Sequence, residues 1–181
     1  SGGEENSSSE NPESDNSTKG ILSSSSAKTE KVIPGQAKKI NHEEAELDIN
    51  AEAVTVEKDL TIDTLNDSTL PALDPGMTNV TKGPRKGYRF LPSGKFNKKI
   101  NVKIPYDKNL LPADKTESDI LTFYFDKELG RWQALKRVTL DTKGQNVISE
   151  TDHFTDMINA TVTVPESPQS VLFNLTQVKF N

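Results

Sequence analysis

The stretch Ile120-Leu121-Thr122-Phe123-Tyr124-Phe125 decides the fold class, because it is short, β-branched and aromatic. A polar turn, Asp126 to Gly130, separates it from Trp132-Gln133-Ala134-Leu135. A strand, a short turn and a second strand in this order predict a β-hairpin. Alternation places the two phenylalanines on one face and Tyr124 on the other, so we expect Trp132 to fill a core.

Segments of the same kind recur along the chain and are separated by turn residues. We predict further strands at 53–56, 60–62, 88–91, 100–106, 138–140, 147–148 and 158–164, with a weaker candidate at 46–49. The turn Asp141-Thr142-Lys143-Gly144 predicts a second hairpin, and 71–87 predicts a long surface loop. No helix-period segment of useful length intervenes. The sequence therefore predicts an all-β fold, an antiparallel β-sandwich with Greek-key-like connections.

Composition divides the chain into three parts. Residues 1–40 are rich in Ser, Asn and Glu with little to bury, which predicts a disordered tether. Residues 41–166 carry most of the strand patterns and are expected to form the β-sandwich domain. Residues 167–181 resume an alternating pattern and are expected to be a C-terminal strand or a linker to a following domain.

Charge and residue usage exclude several function classes. The formal net charge is -5, which disfavours nucleic acid as a partner, although the basic runs at 82–89 and 95–99 are interleaved with aromatic residues. The chain has no cysteine, so thiol catalysis and cysteine-ligated zinc are excluded. Its two histidines, His42 and His153, lie far apart in sequence. We therefore expect no metal, no cofactor and no enzyme activity.

Four motifs in the second half of the chain carry a resemblance to a known family. They are Gly87-Tyr88-Arg89-Phe90-Leu91-Pro92-Ser93-Gly94, Val102-Lys103-Ile104-Pro105-Tyr106-Asp107, Phe123-Tyr124-Phe125-Asp126 followed by Gly130-Arg131-Trp132, and His153 to Thr161 ending at Val164-Pro165-Glu166. In order and spacing they resemble the N-terminal region of the SpvB, insecticidal toxin-complex B-component and Rhs-repeat protein family. The resemblance covers about half of the chain.

The resemblance implies a β-rich, non-enzymatic structural or interaction module at the N-terminus of a large bacterial toxin-like protein. It implies a secreted or cell-surface location. The start Ser1-Gly2-Gly3-Glu4-Glu5 resembles the residues that follow the lipidated cysteine of surface lipoproteins, so the membrane is expected only through a lipid anchor absent from this sequence. The expected partner is a protein, either the remainder of the parent chain or a toxin-complex component. The alternative is a surface adhesin that binds a host ligand.

A second, more distant likeness is to the autoprocessing sandwich domains of netrin receptors and death-domain adaptors. It rests on Phe90, Pro92, Gly94, Gly130, Trp132 and the triplet His153-Phe154-Thr155. Those domains cleave before Ser, where this chain has Thr155. The corresponding hypothesis is self-cleavage between Phe154 and Thr155, in which a strained peptide lets the Thr155 hydroxyl attack the preceding carbonyl while His153 accepts the proton. The competing interpretation is structural: Phe154 fills the core, His153 bonds a neighbouring strand and Thr155 forms a turn or cap.

Two further side-chain groups suggest binding chemistry. Four aspartates flank strands and could gather around calcium, namely Asp107, Asp114, Asp119 and Asp126, although solvated loop carboxylates are the simpler interpretation. Three aromatic residues could form a platform for sugars or a partner, namely Trp132, Tyr124 and Tyr106.

Overall fold

The computed structural model describes residues 27–164. Ten strands form one antiparallel sheet system: β1 (Ala27–Val32), β2 (Lys38–His42), β3 (Ala45–Ile49), β4 (Lys58–Leu65), β5 (Met77–Asn79), β6 (Gly87–Pro105), β7 (Leu121–Asp126), β8 (Arg131–Ala134), β9 (Lys136–Asp141) and β10 (Asn146–Val162). The helical content of the described part is two 3₁₀ turns, Lys108–Leu110 and Glu117–Asp119. The chain is thus all-β, as the sequence predicts.

Two long strands, β6 and β10, pair with each other and organise every other strand. The first half of β6 pairs with β4, which pairs with β1, and its second half pairs with the β2–β3 hairpin. The first half of β10 pairs with β9, and its second half pairs with β7 and β5, with β8 beyond β7. Each long strand therefore contributes to two sheet halves.

A corner separates the two halves. Thr151 and His153 of β10 face Ile100 and Lys95 of β6, so that five steps on β6 oppose two on β10. A second irregularity lies between Phe154 and Asp156 of β10. Extra residues on one strand of a pair bend the ladder, and bent strands that pass between layers form the corners of β-sandwiches.

One apolar core joins the two halves into a sandwich-like body. The core takes Leu60, Ile62 and Phe90 from one half and Leu47 and Val102 from the other, all inaccessible to solvent. Burial of side chains of this size contributes about 1.5–3 kcal/mol each to folding. A hydrogen bond crosses the core as well, since the hydroxyl of Tyr88 on β6 donates to the carbonyl of Glu43 in the β2–β3 turn.

A second apolar cluster lies on the other face of β7, β8 and β10. Phe123, Trp132 and Ile158 are buried there beneath Leu70 and Leu73 of the preceding loop. Trp132 is held from both sides: its indole Nε1 donates to Ala72 O at 2.9 Å and its backbone N–H donates to Asp74 Oδ2 at 2.9 Å. Trp132 is therefore a core residue, as predicted.

Both predicted hairpins are confirmed. β7 pairs with β8 across the turn that Asp126 caps, where its Oδ1 accepts from the N–H groups of Glu128 and Leu129 and Gly130 takes a positive φ of 67°. β9 pairs with β10 across the turn at 141–144. The weak candidate at 46–49 is also a strand, β3.

Three expectations need correction. The sheet begins at Ala27, so β1 and most of β2 lie inside the 1–40 segment that we assigned to the tether, because Val32 and Ile40 reach the core although their neighbours are polar. The predicted strand at 53–56 is a turn that still buries Ala53 and Val54. The predicted 71–87 loop contains β5, which pairs with the end of β10. Residues 1–26 and 165–181, which hold most of the expected tether and the expected C-terminal strand, lie outside the described residues.

Candidate functional site: a groove at the sheet corner

An open groove of about 490 Å³ lies where β6 and β10 turn the corner, and its surface is mostly apolar. We call it the corner groove. Its lining residues come from three neighbouring elements, namely 93–95 of β6, 124–126 of β7 with 127–128 of the following turn, and 153–155 of β10. The volume falls in the range of small-ligand pockets.

The groove exists because two partner strands of β10 leave a gap between them. On the side of β10 opposite β6, the β9 register ends at Glu150 and the β7 register begins at Met157. The segment between them is paired by β6 but by neither of these two strands. The Thr151 hydroxyl compensates within the gap, since it accepts from the N–H of His153 at 3.2 Å and donates to its carbonyl at 2.8 Å. The backbone N–H and C=O groups of His153 therefore both have hydrogen-bond partners although no described strand pairs with β10 on this side.

Phe154 anchors the floor of the groove to the core. Its side chain is buried, and its ring centroid lies 5.6 Å from that of Phe90 and 4.4 Å from that of Phe96, the latter edge to face. Removing such a ring from a core costs about 3–5 kcal/mol. Phe154 therefore has the core role that the structural interpretation assigns to it.

Thr155 ties β10 to the end of β7. Its hydroxyl donates to the carbonyl of Phe125 at 2.8 Å, and the residue is 7% exposed. Beyond Tyr124 the paired register of β7 with β10 ends, so this hydrogen bond links the two strands where they diverge. Thr155 lies within a strand rather than in the turn or cap that the structural interpretation expected.

His153 forms one wall of the groove. Its Nδ1 lies 3.0 Å from Asp152 Oδ1, and its ring meets the Tyr124 ring edge to face with centroids 4.4 Å apart. The hydrogen bond from His153 lowers the pKa of Asp152, and burial raises the pKa of Tyr124. The histidine ring thus contacts Tyr124, and its Nδ1 has Asp152 as a hydrogen-bond partner.

These contacts bear on the self-cleavage hypothesis. Backbone strain would show as a positive φ, and the non-glycine residues with positive φ in the described chain are Glu43, Glu44 and Gln145, none of them in the triplet. The Thr155 hydroxyl is engaged with Phe125 O. His153 and Thr155 do line the same groove, but their hydrogen bonds support a structural role.

The remaining candidate residues are placed apart from the groove or in capping roles. Asp107 caps the 3₁₀ turn at 108–110, and Asp119 caps that at 117–119 through the Thr116 N–H. Within residues 27–164 no three His, Asp or Glu side chains come together as a possible metal site. The basic run at 82–89 is neutralised locally, because Lys82 and Arg85 form ion pairs with Glu43 and Glu44.

Sequence reasoning missed two features of this site. Residues 93–95 form the β6 wall, although the sequence analysis noted them only as part of a motif. The two motifs 87–94 and 153–161 are strand partners, joined by an ion pair between Arg89 and Asp156.

No protein-family model matches the chain, and no curated protein matches it either. The likeness to the SpvB and Rhs proteins therefore stays a prediction from the quoted motifs. Among the described residues, no helix is long and apolar enough to cross a membrane.

Proposed function

We propose that the chain is a non-enzymatic interaction and structural module that binds an extended, apolar polypeptide segment in the corner groove. The observation that carries the proposal is the groove itself: an open, mostly apolar concavity beside a stretch of β10 that lies between the β9 and β7 registers. Apolar concavities beside incompletely paired strands are typical sites for extended peptides.

The charged rim fits a protein partner better than a small charged ligand. Lys95 and Lys127 stand beside Asp126 and Glu128, so that neither sign of charge dominates the groove. A mixed polar rim around an apolar centre is the usual anatomy of a protein-binding patch. The resemblance adds the setting: a module at the front of a larger exported or surface-anchored bacterial protein of the SpvB and Rhs type, whose remainder supplies the segment.

A phage-displayed library of random peptides, captured on the immobilised full chain, tests this function. We expect enrichment of peptides with alternating apolar residues. Ser93→Trp fills the groove from an exposed wall position and should lower capture at least tenfold. Thr142→Trp, an exposed position in the β9–β10 turn, is the matched control and should capture as the wild type does. Equal capture by the two variants would overturn the proposal.

Self-cleavage is the alternative for the same residues, and its supporting observation is that His153 and Thr155 share one groove. The hydrogen bonds of both side chains favour a structural role for the two residues over self-cleavage. A host ligand, as in an adhesin, would instead appear as capture of the chain on host matrix or glycans, with no dependence on Ser93.

A further inference from the structure

We propose that the outer edge of β9 pairs with the same edge of a second copy of this chain and so forms a symmetric antiparallel dimer. The inference goes beyond the binding function proposed above and does not depend on the corner groove. It is carried by the position of β9 in its sheet half, by the exposed residues of β9 and by the charges that two paired β9 strands bring together.

β9 is the last strand of one sheet half. Residues 146–150 of β10 lie between β6 and β9, and the half continues from β6 to β3 and β2. No strand of residues 27–164 pairs with the other side of β9. Outside the ladder with β10, the hydrogen bonds of β9 in this described part of the chain involve only the side chains of Arg137 and Asp141. Such an edge offers its backbone N–H and C=O groups to another strand.

The centre of β9 is exposed and suits a strand pair. Val138 is 47% exposed, and Thr139 beside it is exposed as well. Both are β-branched, which favours cross-strand pairs. A bulge leaves Val138 without a register partner on β10, whereas pairing with a second β9 places Thr139 of the other copy opposite it. Both strands of a twofold pair carry this bulge at the same place, so their added twist is matched.

Antiparallel pairing of β9 with its copy is complementary in charge. With the twofold axis at the centre of the strand, Lys136 of each copy lies opposite Asp141 of the other. The two side chains share a face, because their partners on β10, Glu150 and Asn146, are an even number of residues apart. Asp141 Oδ1 accepts from the Gly144 N–H at 2.9 Å, which leaves Oδ2 for the lysine. Opposite charges directly across a strand pair stabilise it.

The other edges fit a second copy less well. Among the described strands, β1, β2 and β8 also end a sheet half. The centred register would place Lys28 of β1 opposite Lys31. On β2 it would place Lys38 opposite His42, so two basic residues meet there as well. Like charges directly opposite destabilise a pair. On β8, the backbone N–H of Trp132 already donates to a carboxylate of the loop before β5.

Sedimentation equilibrium of the full chain, over a wide range of concentration, tests the inference. We expect a monomer–dimer equilibrium. Val138→Asp brings two like charges together at the twofold axis and should raise the dissociation constant of the dimer at least tenfold. Val56→Asp is the matched control, because Val56 is 61% exposed and lies outside β9, and it should leave the constant unchanged. A monomer at every concentration, or equal constants for the two variants, would overturn the inference.

A charge exchange tests the pairing register itself. Lys136→Glu and Asp141→Lys each place like charges opposite each other twice, so each variant alone should dimerise at least tenfold more weakly than the wild type. In an equimolar mixture, the introduced glutamate lies opposite the introduced lysine, while the unchanged Asp141 of one variant meets Lys136 of the other. We expect the mixture to recover association close to that of the wild type, which would also show that both variants are folded. Absence of recovery would contradict the register.

Discussion

The guanidinium of Arg89 binds both carboxylate oxygens of Asp156, with Nε to Oδ1 at 2.7 Å and Nη2 to Oδ2 at 2.9 Å. The two residues are register partners on β6 and β10, immediately beside the corner. The Asp156 side chain is 3% exposed and that of Arg89 is 38% exposed, and the hydrogen bond raises the pKa of Arg89. A bidentate pair fixes distance and orientation together, so it sets the register from which the corner groove is built.

Loss of Arg89 should be costly because it leaves a buried carboxylate without its partner. We expect Arg89→Met to lower the free energy of unfolding by roughly 2–3 kcal/mol, the lower end for a broken buried pair because Arg89 is partly solvated. Urea unfolding measures the change. Lys86→Met, at an exposed position nearby, should stay within about 0.5 kcal/mol of the wild type. Arg89→Met combined with Asp156→Leu should recover much of the loss, and no recovery would contradict the pair's role.

Asn159 should be equally sensitive, because it satisfies several buried groups at once. Its Oδ1 accepts from the Thr122 hydroxyl at 2.6 Å, and its Nδ2 donates to Ile104 O at 2.8 Å. Asn159→Ala leaves both partners unsatisfied, and we expect a loss of about 2–4 kcal/mol in urea unfolding. Asn97→Ala, at an exposed position, is the control. A loss below about 1 kcal/mol for Asn159→Ala would show that water replaces the side chain.

The fold class followed from the sequence because local patterns decide it. The hairpins at 126–130 and 141–144 needed only strand alternation and turn residues, and both are present. β1 was missed because its neighbours are charged and only Val32 is fully buried, so no local pattern marks it. Conversely, residues 53–56 have the alternating pattern of a strand, but Ala53 and Val54 fill the core from a turn.

The corner groove could not be predicted in the same way. It depends on a register in which five steps of β6 oppose two of β10, and on the point where the β9 pairing stops and the β7 pairing starts. At the corner the β6–β10 pairing joins residues about 60 apart in sequence, such as Gly94 and Phe154, and the β7–β10 pairing joins Tyr124 to Met157. His153, Phe154 and Thr155 stand out in the sequence as a unit, but only the fold shows that Phe154 reaches the core from the floor of a groove that His153 and Thr155 also line.

The tyrosines predict how stability falls at high pH. Burial raises the pKa values of Tyr88, Tyr106 and Tyr124 above the ordinary value, and the Glu117 carboxylate that accepts from the Tyr106 hydroxyl adds to the rise there. A folded-state pKa above the unfolded value of about 10 means that the folded state holds its protons more tightly. The stabilisation is complete below about pH 10 and is lost as the pH rises beyond it.

We therefore expect the chain to unfold as its tyrosines ionise: above pH 10, tyrosinate absorbance should increase over the same pH range in which the far-ultraviolet circular dichroism signal is lost. Tyr88→Phe removes a buried hydroxyl and its hydrogen bond to Glu43 O, so this variant should lose stability at neutral pH yet show a shallower further decline in alkali. If all three tyrosines ionised with the ordinary pKa of about 10 while the chain stayed folded, the burial of these groups would be contradicted.

The integrity of the peptide bond between Phe154 and Thr155 distinguishes the structural role of the triplet from self-cleavage. We expect the purified full chain to remain a single species in intact-mass measurements after days at 37 °C, because the Thr155 hydroxyl donates to Phe125 O and the triplet has no positive φ. Thr155→Ser, which keeps the hydroxyl and resembles the residue at cleavage sites of the autoprocessing domains, should also stay intact. Thr155→Val should stay intact and lose about 1 kcal/mol of stability with that hydrogen bond. A fragment that begins at Thr155 in the wild type, and is absent from Thr155→Val, would establish self-cleavage instead.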